Sequence, residues 1–150
     1  MTALAVLFGC KDKPQVAADN AGSAAVSIPD TSYDLVLPSR WANHYQIDSL
    51  STAERGRALR GALVFQYTPS DSNARPQALM AVAVYDSATW HAVRAEQGPP
   101  PGDSVAARRG RVYVIGLPQS NPFAPGSVDG TVFQVLMLRP AELAGIIRFK

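Results

Sequence analysis

The chain has 150 residues, 47% of them apolar and 17% charged, with 14 Lys+Arg against 12 Asp+Glu for a formal net charge of +2. That length fits one domain, the apolar share excludes disorder throughout, and no run approaches the ~20 consecutive apolar residues of a membrane-spanning helix. The single cysteine, Cys10, excludes an internal disulfide framework and a thiolate metal centre supplied by this chain alone, and the scattered charge excludes the dense basic face of a nucleic-acid binder.

In chain order, residues 1–9 are apolar and lead to Cys10. Residues 11–29 are rich in Ala, Ser, Asp, Asn and Gly, lack aromatics and show no sustained periodicity, which reads as a flexible tether. The alternation Tyr33-Asp34-Leu35-Val36-Leu37-Pro38 predicts a first strand, and residues 40–47 a turn and a short second strand. Residues 58–67 read as a third strand, closed by the turn-rich segment 68–73. The mostly apolar run 77–85 predicts a central strand covered on both sides. Asp86 or Ser87 then caps a helix carrying Trp90 and Val93 and ending by Gly98.

After the Pro-rich segment 99–102, residues 104–107 and 111–117 flank the turn Arg108-Arg109-Gly110 as a β-hairpin. Ser127 caps a second helix, with Val128, Val132, Phe133, Val135 and Leu136 as its apolar stripe. Pro140 restarts the chain, Glu142 suits a first helical turn, and residues 146–149 close as a short edge strand. The expected fold is α+β: a mainly antiparallel sheet of about five or six strands with two helices packed on one face. The expected organisation is a residual signal segment 1–9, an anchor cysteine and tether 10–30, and a single domain 31–150.

Leu7-Phe8-Gly9-Cys10 resembles the lipobox of bacterial lipoproteins, which asks for Leu, Val or Ile three residues before the cysteine and a small residue next to it. Phe8 is bulkier than that pattern favours. The basic n-region of a secretory signal is missing, from which a start lying upstream is expected. The resemblance implies acylation of Cys10, anchorage by buried acyl methylenes, and a location on the extracytoplasmic, periplasmic side of a bacterial membrane. The arrangement Leu37-Pro38-Ser39-Arg40-Trp41, Tyr45, Trp90 and Asn121-Pro122-Phe123 looks like that of small uncharacterised domains on bacterial surface lipoproteins, over about residues 33–149. That resemblance implies an envelope location and no known activity.

The chain contains no Gly-x-Ser-x-Gly elbow, and its serines lie mainly in turns. His44 and His91 stand 47 positions apart with no metal-ligand spacing. Asp71, Asp86, Asp103 and Asp129 each sit at a turn or a helix start, where capping explains them. Gly56-Arg57-Ala58-Leu59-Arg60-Gly61 lacks the lysine of a phosphate-binding loop. No catalytic residue, cofactor or metal ligand is therefore expected.

Two surfaces remain. Arg55, Arg57 and Arg60, with Arg108, Arg109 and Arg111, form a cationic rim if the ends of their strands lie together; such a rim suits anionic headgroups or an acidic partner, and equally keeps sheet edges soluble. Trp41, His44 and Tyr45 on one loop, and Asn121, Pro122 and Phe123 on another, are residue types common at interface hot spots, with core packing as the competing role of Trp41 and Phe123. The leading expectation is a non-catalytic, membrane-tethered accessory subunit of a larger bacterial membrane complex, for example respiratory or photosynthetic, that binds no nucleic acid. A small-ligand or cell-wall binding domain is the alternative, and an unrecognised hydrolase the third.

Overall fold

A computed structural model describes residues 23–26, 32–50 and 62–150. Cys10 and the apolar segment before it, most of the expected tether, and Arg55, Arg57 and Arg60 lie outside the described residues. The strands are β1 (Ser23–Val26), β2 (Tyr33–Pro38), β3 (Tyr45–Leu50), β4 (Ala62–Tyr67), β5 (Gln77–Asp86), β6 (Asp103–Arg108), β7 (Arg111–Gly116) and β8 (Ile147–Phe149). The helices are α1 (Ser87–Ala95) and α2 (Val128–Leu136), with 3₁₀ turns at Ser39–Trp41 and Pro140–Gly145.

The fold is α+β, and every described strand pair is antiparallel. The strands divide into two sheets, a three-stranded one in the order β1-β2-β8 and a five-stranded one in the order β3-β4-β5-β7-β6. β5 is the central strand of the larger sheet, as its unbroken apolar run requires. Its Met80, Val82 and Val84 enter one core, while Ala83 and Tyr85 enter another on the reverse face. β1 falls within the segment expected to be a tether, pairing Ser23–Val26 with Pro38–Leu35. Pairing there is made by backbone groups on an open strand edge, so four small residues join it without any alternating pattern to announce them.

The larger core is closed from three directions. Tyr33, Leu35 and Leu37 point inward from β2, Tyr113 and Ile115 come from β7, and Phe133 and Leu136 from α2. Ring contacts knit these layers: Tyr113 stands edge-on to both Tyr33 and Phe149, with centroids 5.0 Å away in each case. On the reverse face α1 lays Trp90 against Tyr85, Val112 and Val114. The two helices therefore take opposite faces of the five-stranded sheet, where the sequence suggested a shared one. Both faces of β5 and β7 are apolar, so each needs its own cover, and helical periodicity does not say on which face a helix lands.

Local signals set the boundaries. Asp86 caps α1, accepting from the Thr89 N–H at 2.8 Å and the Thr89 hydroxyl at 2.6 Å, and these bonds lower the Asp86 carboxyl pKa. Ser127 caps α2 through the Gly130 N–H at 2.9 Å.

Candidate functional site

The two aromatic loops expected to meet a partner turn out to hold α2 at its two ends. At its C-terminus, where the last carbonyls lack intrahelical donors, Arg40 Nε donates to the Val135 oxygen at 3.0 Å and Trp41 Nε1 to the Leu136 oxygen at 2.7 Å. Arg40 is fixed in turn by Glu142, Nη1 to Oε1 2.7 Å, while Glu142 Oε2 accepts from the Arg139 N–H at 2.8 Å. These bonds, Arg40 first, hold the Glu142 carboxyl below its ordinary pKa. Trp41 is fully enclosed and packs on Tyr45 and Phe65, both with centroids 6.0 Å away. Tyr45 is half-buried, and burial pushes its hydroxyl pKa up. His44 is exposed and follows Asn43, whose φ of 64° is a left-handed turn conformation that Asn accepts.

At the N-terminus of α2, Asn121 Nδ2 donates to the Gly130 oxygen at 2.7 Å, and Asn121 Oδ1 accepts from the Phe123 N–H at 3.0 Å. Phe123 is half-buried, edge-on to Tyr67 and Phe133 at 5.6 and 5.4 Å, and Pro122 is exposed. Gly130 permits this close approach, since a Cβ there would lie 2.6 Å from the Ala124 oxygen. Asp129 ties the same region to the β4–β5 loop. It accepts from the Tyr67 hydroxyl at 2.7 Å, the Ser70 N–H at 2.9 Å and the Ser70 hydroxyl at 3.0 Å. The Ser70 N–H, then Tyr67, lower the Asp129 pKa; burial, reinforced by Asp129, drives the Tyr67 hydroxyl up to about 12.

Sequence periodicity assigned Val128 and Val135 to the core stripe of α2, yet they are 73% and 62% exposed. Seven residues apart, they lie on one side of the helix, well round from the buried Phe133. Pro122 and Pro125 of the preceding loop are exposed as well.

Arg108, Arg109 and Arg111 gather at the opposite end of the five-stranded sheet. Register pairs Arg108 with Arg111, and Arg109 and Gly110 between them have φ of 50° and 72°, the signature of a type I′ hairpin turn. The Gly110 oxygen accepts from the Ser87 N–H at 2.9 Å, which joins the turn to the start of α1. Arg108 stacks over Phe149, 5.0 Å from its centroid, and donates to the Lys150 oxygen at 3.4 Å. Lys150 Nζ meets Asp34 at 2.8 Å, and Asp34 pairs in register with Arg148. Arg148 and Lys150 thus join the basic end, an adjacency that only the tertiary structure creates. The chain enters β4 at this same end, because Ala62 pairs with Ala83 and Ala83 with Val114.

Among the described residues, no group of three or more His, Cys, Asp or Glu side chains stands close enough to hold a metal ion, and no helix is long and apolar enough to cross a membrane. No protein-family model, curated protein or solved structure shows significant similarity to the chain.

Proposed function

We propose that the chain is a non-catalytic, membrane-tethered lipoprotein of the bacterial envelope, acting as an interaction subunit of a larger membrane assembly. The observation that carries this reading is the chain order. A lipobox-like Leu7-Phe8-Gly9-Cys10 and a polar, aromatic-free stretch precede a domain whose core runs from Tyr33 to Ile146. A cysteine placed between an apolar run and a polar stretch suits acylation better than packing, and several acyl chains make attachment effectively stable.

The outer surface of α2 supports the second half of the reading. Val128 and Val135 stand exposed on a helix already fixed at both ends, and exposed apolar side chains on a rigid element bind a partner with little loss of conformational freedom. The partner is another subunit of the membrane assembly, meeting the protein on the periplasmic side.

Extraction of the native protein in mild detergent, followed by mass spectrometry of its amino terminus and of co-purifying proteins, tests both halves. Acylated Cys10 at the new amino terminus and a stoichiometric partner are expected. An unmodified cysteine removes the anchor. Recovery as a lone monomer, with Val128→Asp leaving its behaviour unchanged, removes the interaction role.

A further inference from the structure

We infer that the basic end of the domain is a docking surface for anionic membrane lipid, formed by Arg108, Arg109 and Arg111 of the β6–β7 hairpin together with Arg148 and Lys150 of the last strand. It faces the headgroup phosphates independently of any acyl anchor.

Three observations converge on it. Among the described residues, Lys150 meets Asp34, Arg111 lies opposite Asp86 in register, and Arg108 engages the Lys150 backbone oxygen. Arg108, Arg109, Arg148 and Lys150 are all exposed, so the excess positive charge faces solvent. The guanidinium, a planar donor fork, is also the side chain best shaped for phosphate oxygens.

The hairpin also breaks two local rules. Arg108 and Arg111 form a directly opposed cross-strand pair, which sets like charges side by side. Arg109 occupies the first left-handed position of a type I′ turn, where Asn, Asp or Gly is the unstrained choice. Departures of this kind concentrate where a surface has work other than folding.

The occupant follows from the charge this end carries. Arginine serves protein interfaces chiefly where it is desolvated among aromatic and other anchors, whereas Arg108, Arg109, Arg148 and Lys150 are solvent-exposed, and the exposed large apolar side chains of the described residues, Val128 and Val135, belong to α2. The N-terminus of α2 is tied to the β4–β5 loop, at the far end of the sheet. Charge without apolar anchors matches a diffuse layer of headgroups, to which each nearby basic residue adds attraction that salt weakens.

The test is cosedimentation of the full chain carrying Cys10→Ser, which cannot be acylated, with vesicles of phosphatidylcholine alone or mixed equally with phosphatidylglycerol. Binding is expected only to the anionic vesicles, falling with salt, and Arg109→Glu should lower affinity at least about tenfold. Arg109→Asn removes the charge while relaxing the turn, so a loss of affinity in that variant is not a loss of folding. Arg75→Glu, in the β4–β5 loop, makes the same charge change far from this end. Equal binding to neutral vesicles, equal losses for Arg75→Glu and Arg109→Glu, or retention on polyglutamate without vesicle binding would each overturn the inference. The last would point to an acidic protein instead. Because the acyl anchor is absent throughout, the outcome is separate from the fate of the lipoprotein reading.

Discussion

The indole nitrogen of Trp41 lies 2.7 Å from the backbone oxygen of Leu136, so a side chain in the first 3₁₀ turn closes a helix 95 positions away. The bond is buried, and water cannot replace it. Trp41→Phe keeps most of the apolar volume but strands a buried carbonyl, at a cost of about 1–3 kcal/mol. Trp41→Ala adds a cavity and raises the cost to about 3–5 kcal/mol. Urea denaturation of the two variants measures both, and a Phe variant as stable as the parent would show that the indole N–H contributes no cap.

Tyr67 joins the sheet to α2 through Asp129. Its hydroxyl pKa is raised from an ordinary 10.0 to about 12 in the folded chain. The stabilisation it provides is therefore complete below pH 10.0 and is lost as pH climbs toward 12. Tyr67→Phe is expected to cost about 1 kcal/mol near neutral pH and to flatten the alkaline decline of stability over that interval. Denaturation midpoints against pH, read with phenolate absorbance, check it; an unchanged alkaline limb would remove Tyr67 as its source.

Glu142 gives the opposite slope. Its carboxyl pKa is lowered by Arg40 and the Arg139 N–H, so its stabilisation is present above the ordinary carboxylate range and disappears as pH falls through the folded value. The pair is one-third exposed, and Glu142→Gln should cost less than ~1 kcal/mol near neutral pH. The acid limb of the stability curve should become shallower in the variant, and a limb identical to the parent's would contradict the assignment.

Arg109 holds a left-handed backbone, φ 50°, that its side chain disfavours. Arg109→Asn should raise stability by about 0.5–1 kcal/mol, visible as a higher thermal midpoint. A drop in that midpoint would mean that the arginine side chain, not the turn, sets local stability. Paired with the weaker vesicle binding expected of the same variant, the gain would show a position where charge is kept at the expense of the fold.

Much of the architecture was legible in order along the chain. Strand β2, the central β5, the β6–β7 hairpin, both helix caps and the short β8 follow from alternation, turn chemistry and capping residues, because those signals act over a few neighbouring residues. The α+β class follows from their sum. Composition could not reveal β1, whose four residues carry no pattern of their own, nor the division into two sheets.

What each side chain faces was decided by tertiary contacts. Helical spacing gave Val128 and Val135 the same standing as Phe133, yet only the last meets β2 and β4, since a stripe wider than the available core leaves its margin in solvent. Trp41 and Phe123 are residue types that suit surface or core alike, and it is the placement of α2 between their loops that buries the one and half-buries the other. The sequence by itself determined the elements, the caps and a concentration of arginine at one turn; the tertiary structure decided which groups share an end. Arg108 and Lys150 are 42 positions apart and come together only because β8 pairs with β2 beside the hairpin. No local periodicity encodes that neighbourhood, because it arises from the packing of one sheet on another.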